Sequence, residues 1–361
     1  GGTSKKTRNK KNKTTIYPPE REKGKYGIIC NIWLPKFRQV VANKIFNDMT
    51  KKYTSTLQSA LQAEYNNDNK VGEVTLFKGM INYFENRPQC TAIKTHQHYV
   101  EYSNPAVRCE ISDILFVSYS RHFPWMKINF LQAKKADFNN RKEGLILNNT
   151  KLKFGIAKNQ YDLLKNRPQI NPLQTGLPKD ILSSAYNSSI TSYGVFYNNS
   201  TRGNAVNVEF AFEITDLLHP TPKVTSACFG TIDTLYSCLC NCKKYHHPLC
   251  CYCYPCHPRE CRNLLTTIDT STFEDALFNF QIGSFVVDNR TAVVLSTAIS
   301  ALLKKEGKTN HSFAQFVENR IHISKDDNSG ESITANLESL SLSTKYVVLV
   351  DVDNQEDRIN D

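Results

Sequence analysis

The chain has 361 residues, 40% of them hydrophobic, and a formal net charge of +11. That length and apolar content support a real core and exclude a chain disordered throughout. No run of eighteen apolar residues occurs and no apolar stretch follows the first lysines, so neither a membrane span nor a signal peptide is expected, and the chain reads as cytoplasmic.

The charge is uneven. Residues 1–26 carry nine Lys or Arg, among them Lys5, Lys6, Arg8, Lys10 and Lys11, against Glu20 and Glu22, so seven of the eleven net charges lie there. A segment this rich in Lys, Asn and Thr cannot offset its ordering entropy and is expected to be a disordered basic arm. It is either a solvated tail or a nonspecific nucleic-acid-binding element that releases its phosphates at high salt.

Next, "GIICNIWLP" (27–35) has the content of a short strand. Phe37, Val40, Val41, Ile45, Met49, Tyr53, Leu57, Ala60 and Leu61 then recur at three- and four-residue steps, predicting an amphipathic helix or a broken pair over 36–66. A shorter helix is expected over 74–85, ending before Arg87-Pro88. "CTAIKTHQHYVEY", "CEISDILFVSYS" and "KINFLQAKK" follow as strands, the last two separated by "RHFPWM". His96 and His98 share one face of the first, where packing or surface roles suit them better than metal binding. Further on come a helix over 155–168, a strand pair "SYGVFY" and "VNVEFAFEI", and a helix "STFEDALFNF" with Ser271 or Thr272 as N-cap. The helix "TAVVLSTAISALLKKEG" has Gly307 as its C-cap, and "KYVVLVDV" is the last strand. This pattern predicts an α/β protein with a sheet covered by helices. "GKT" at 307–309 follows a helix instead of opening one, so it is not a P-loop.

The run "INFLQAKK" (128–135) ends on polar residues. With period two, Gln132 and Lys134 point to one side and Leu131 and Ala133 to the other, so an amide and an ammonium share the edge of a buried sheet. That is costly unless an anion or metal lies beside them. Asp113, nineteen positions earlier at the head of "ILFV", supplies one if the two strands pair. Asp113, the Gln132 side-chain oxygen and the Ala133 carbonyl would then form an oxygen site for a hard divalent cation, and Lys134 could orient the attacking water.

These residues carry a resemblance. "CEISDILFVSYS" followed by "INFLQAKK" looks like the core of the PD-(D/E)xK, or restriction-endonuclease-like, nuclease superfamily, in the variant with Gln before x-Lys found among Mrr-like restriction enzymes. It covers roughly residues 36–170. It implies a mixed β-sheet flanked by helices and Mg2+- or Mn2+-dependent endonucleolytic hydrolysis of DNA, with Asp113, Gln132, Lys134 and Glu110 as catalytic residues and Asp113, Gln132 and Ala133 as metal ligands. It further implies a setting in bacterial restriction or antiviral defence. Gln132 is neutral, so the site should hold metal less tightly than one with a second acid. Glu110 restores that charge only if a turn or bulge precedes Asp113. Glu73 and Glu85 are the candidates for the family's helix carboxylate. Lys135 and Gln160 are expected, with Lys5, Lys6, Arg8, Lys10 and Lys11 of the arm, to contact nucleic acid.

Eight cysteines crowd the segment 238–261: Cys238, Cys240, Cys242, Cys250, Cys251, Cys253, Cys256 and Cys261. Cytosolic disulfides are rare, so thiolate metal binding is the leading reading. Cys253-x-x-Cys256 has zinc-knuckle spacing, and Cys238 or Cys240 with Cys242 could complete a site whose ligands are a subset of these residues, Cys250 and Cys261 included. The neighbouring His246, His247 and His257 favour a structural Zn2+ over an iron–sulfur cluster, and a metal-free Cys-rich surface insertion is the plainer alternative.

The expected organisation is a basic arm (1–26), a nuclease-like core (27–237), the Cys-rich insertion (238–262), a C-terminal α/β portion packing on the core (263–350) and an acidic tail (351–361). Partners would be DNA, and an ATPase or defence-system protein for any energy-driven step, since the chain has no helicase or ATPase motif; homo-oligomerisation stays open. The rival readings are an inactive nuclease-fold module that binds nucleic acid, and a zinc-stabilised scaffold that recruits a partner.

Overall fold

Runs of β-branched and aromatic residues lay down the long strands of the main sheet, and the two that carry the Asp113 and Gln132 motifs are buried on both faces. The computed structural model describes residues 56–67, 71–95, 99–103, 105–122, 126–136, 153–173, 177–183, 190–199, 206–229, 270–286, 288–326 and 342–354. The basic arm, the strand at 27–35, His96 and His98, the Cys-rich segment 238–262 and the end of the acidic tail lie outside the described residues.

In chain order the elements are α1 (Leu57–Asn67), α2 (Glu73–Glu85), β1 (Cys90–Lys94), β2 (Val100–Tyr102), β3 (Val107–Cys109), β4 (Ser112–Tyr119) and β5 (Met126–Lys135). Then follow β6 (Lys153–Gly155), α3 (Lys158–Asn166), β7 (Asn171–Pro172), β8 (Thr191–Asn198), β9 (Val208–Ile214), β10 (His219–Pro220) and β11 (Ser226–Cys228). The last are α4 (Thr270–Phe278), β12 (Ser284–Phe285), α5 (Asn289–Lys305), α6 (His311–Asp326) and β13 (Thr344–Asp351).

The main sheet is mixed, in the order β1-β13-β4-β5-β8-β9, with β12 pairing the start of β5. β4 and β5 are antiparallel, whereas β13 runs parallel to β4 and β8 parallel to β5. Helices cover both faces. Leu115 and Val117 of β4 and Ile128 and Phe130 of β5 pack with apolar residues of α3, α5 and α6, while Ile114, Phe116, Leu131 and Ala133 pack with α1, α2 and α4. Burying a side chain of this size contributes about 1.5–3 kcal/mol, so the three-layer core is the main stabilising term.

Several sequence expectations shift. The helix over 36–66 is described only from residue 56, and α1 runs one residue past its expected end. "CTAIKTHQHYVEY" is not one strand: β1 joins the main sheet and β2 joins a small sheet with β3 and β7. The helix expected from 155 begins at Lys158, because Lys153–Gly155 pairs with β11 and Ala157 is still extended. Ser271 and Thr272 lie inside α4, not at its N-cap. Asp288 caps α5, its carboxylate accepting from the Thr291 N–H at 2.6 Å; at the other end Gly307, with φ +63°, follows the C-cap Glu306. The last strand lies inside the main sheet. Val347, Val348, Leu349 and Val350 are all fully buried, and a strand apolar on both faces belongs inside a sheet, where β13 separates β1 from β4.

Gly194 shows how tightly the sheet face is filled. It pairs with Ala133 on β5 and Phe212 on β9, and a Cβ there would meet the Phe210 ring at 2.3 Å and Leu131 Cδ1 at 3.2 Å. Gly194→Ala is therefore expected to destabilise the protein by about 1–3 kcal/mol through overpacking. Chemical denaturation checks this, and an unchanged midpoint would show that the face yields.

Candidate active site

The antiparallel register pairs Ile114 with Leu131 at the end of the β4–β5 ladder, so Asp113 and Gln132 face each other one step further on. Both follow the parity of Leu115 and Phe130 and point to the α3 side of the sheet. Asp113 is only 3% exposed. Its Oδ2 accepts the Ala133 N–H at 2.8 Å and also the Gln132 Nε2. Gln132 Nε2 lies 3.3 Å from the Ala133 carbonyl oxygen as well. Asp113, Gln132 and Ala133 thus converge, and the amide nitrogen bridges an anionic oxygen and a carbonyl oxygen.

The first turn of α3 closes the site from above. Buried Gln160 donates from Nε2 to Gln132 Oε1, with the Glu110 carbonyl 3.4 Å away. Gln160, expected to contact nucleic acid, is therefore occupied inside the site, where it orients Gln132. Lys135, expected to do the same, donates to the Val71 carbonyl at 2.6 Å and ties β5 to the approach of α2. The arm residues Lys5, Lys6, Arg8, Lys10 and Lys11 are outside the described residues.

Lys134 reaches Glu73 across 3.9 Å, a loose ion pair at the N-terminus of α2. A carboxylate there also meets the positive end of the helix. Of the two helix carboxylates, the structure brings Glu73 to the site; Glu85, at the other end of α2, pairs with Lys308 at 2.9 Å. Glu110 precedes β4 and is not bound by its alternation, so no bulge is needed for it to act on the same charges. Burial pushes the Glu73 carboxyl up, with Lys134 opposing and Asp113 adding to the rise. Burial likewise raises Glu110, against the pull of Lys345 and with the push of Asp113.

Lys345 is the member that sequence reasoning missed. At the head of β13 its Nζ meets Asp113 Oδ1 at 2.6 Å. The only signal is a lysine opening "KYVVLV", and its position has meaning only once β13 is known to lie beside β4.

Asp113, Gln132 and Ala133 supply one carboxylate, one amide and one backbone carbonyl, and turning the Gln132 amide to present Oε1, with the Gln160 amide turning to accept from Gln132 Nε2, would give the oxygen donors a hard divalent cation takes. Such a set would suit a weakly held divalent cation. Among the described residues no three His, Cys, Asp or Glu side chains are grouped to hold a metal. No family model, characterised protein or solved structure matches the chain.

Gln160→Leu would leave Gln132 Oε1 without its donor in a buried place. It is expected to destabilise the fold by about 1–3 kcal/mol, read from denaturant midpoints, and an unchanged midpoint would mean that Gln160 does not hold the amide.

Proposed function

We propose that the chain is a divalent-metal-dependent nuclease that hydrolyses DNA phosphodiester bonds at the Asp113, Gln132, Lys134 end of its sheet. One observation carries this reading: a buried carboxylate, an amide and a main-chain carbonyl meet within hydrogen-bonding range, with two lysines at the rim. The element order supports the restriction-endonuclease-like reading. A helix carrying Glu73 leads to an antiparallel pair bearing Asp113 and Gln132, then to a helix and a strand parallel to the second of the pair. β13 and then β1 extend the sheet beyond β4, on the side away from β5.

Asp113, Gln132 and the Ala133 carbonyl would hold Mg2+ or Mn2+, which supplies charge neutralisation at a non-bridging phosphate oxygen and a more acidic bound water. Lys134, steered by Glu73, orients the attacking water and balances charge on the phosphate in the transition state. Gln160 holds the Gln132 amide, and the Glu110 carboxyl acts on the same charges, those of Lys345, Asp113 and Lys134. Structural Zn2+ bound by the cysteines of 238–261, and nucleic-acid binding by the basic arm, belong to the same proposal.

A second reading, a nuclease-like module that binds DNA without cutting it, draws on the donors that already engage both oxygens of Asp113. Plasmid and single-stranded DNA incubated with Mg2+ or Mn2+ separate the two. The nuclease reading expects cutting that Asp113→Asn and Lys134→Met each reduce by about a hundredfold or more, with the fold intact. Binding without cutting would leave the module, and equal cutting by the variants would remove the site from the reaction.

A further inference from the structure

We propose that Lys345 is a built-in cation that excludes divalent metal from Asp113 until the phosphate of a substrate offers its ammonium another partner. The inference rests on reading Asp113 as the metal ligand and adds what governs access to it.

Register and parity fix the position. Thr344 pairs with Ser112 and Tyr346 with Ile114, so Lys345 lies beside Asp113, on the face shared with Val347 and Leu349. Its ammonium sits 2.6 Å from Oδ1, while Oδ2 is taken by the Ala133 N–H and the Gln132 amide. Turning Gln132 to present Oε1 relieves Oδ2 of one donor but leaves the Ala133 N–H on it, so a metal that takes up both oxygens of Asp113 must also displace the ammonium from Oδ1. The Asp113 side chain is 4% exposed and fixed by the sheet, whereas that of Lys345 is 40% exposed on a flexible stem.

At the same rim Lys134 faces Glu73, so two ammoniums stand against three carboxylates, those of Glu73, Glu110 and Asp113, and offset all but one of the negative charges. Adding a divalent ion without moving Lys345 would crowd like charges in a half-buried space, which costs affinity. Once displaced, the ammonium stays within reach of the site's opening, where a phosphodiester oxygen is the anion that would accept it. Metal and nucleic acid then bind cooperatively, each raising the other's affinity by the same factor.

The test is Mn2+ binding to the full chain, followed by the resonance signal of the free ion, for wild type, Lys345→Met, Lys345→Gln and Asp113→Asn. The methionine and glutamine variants are expected to bind Mn2+ about tenfold more tightly, the scale of one lost charge-assisted hydrogen bond. Asp113→Asn added to either should abolish the gain. A short DNA duplex should strengthen Mn2+ binding by wild type and do so less in Lys345→Met. Two variants with native circular dichroism and wild-type Mn2+ affinity would overturn the exclusion, while loss of binding in Asp113→Asn alone would leave the metal site standing. Mn2+ binding indifferent to Asp113, or no binding by any protein, would overturn both.

Discussion

A carboxylate buried at the end of a sheet has to be satisfied, and the rest of this molecule is arranged around that constraint. Leaving an ionised Asp uncompensated in such a place costs several kcal/mol. Asp113 is compensated by a main-chain N–H from β5, a side-chain amide from the same strand and an ammonium from β13. Those three donors come from two strands that flank β4 on opposite sides, so the carboxylate is satisfied only when both neighbours are in register. A shift of one residue in either strand would turn its polar group to the other face.

The same constraint links distant parts of the chain. β13 comes from the far end of the sequence, yet it lies between β1 and β4 and brings Lys345 to the site. α2 is held against α1 and α4 by Glu274, whose carboxylate accepts the Leu57 N–H at 3.0 Å and the Tyr83 hydroxyl, with Arg87 stacked 4.4 Å from the Tyr83 ring. That clamp fixes the helix that presents Glu73 to Lys134. The chemistry at the rim therefore depends on packing well away from it.

Much of this was legible because strand periodicity is local information. Asp113, Gln132 and Lys134 could be assigned to one side of neighbouring strands from spacing and apolar runs alone, and the β8–β9 pair from two adjacent strand patterns. What was illegible depends on long-range pairing. Nothing within "KYVVLV" says that it inserts beside β4, so Lys345 looked like an ordinary strand-opening residue. The choice between Glu73 and Glu85 needed the direction in which α2 crosses the sheet. Gln160 looked like a surface contact because the amide it orients lies twenty-eight positions away. The split of "CTAIKTHQHYVEY" and the late start of α3 reflect small sheets whose two- and three-residue strands leave too short a pattern to read.

The most direct measurement is the location of a metal: crystals soaked in Mn2+ with a DNA oligonucleotide, examined by anomalous scattering. A peak is expected at bonding distance from the Asp113 carboxylate and the Ala133 carbonyl, with Gln132 turned to present Oε1 and the Lys345 ammonium withdrawn from Oδ1. A peak elsewhere, or DNA bound over an Asp113 that still holds Lys345 with no metal beside it, would rule out Asp113 as the metal ligand.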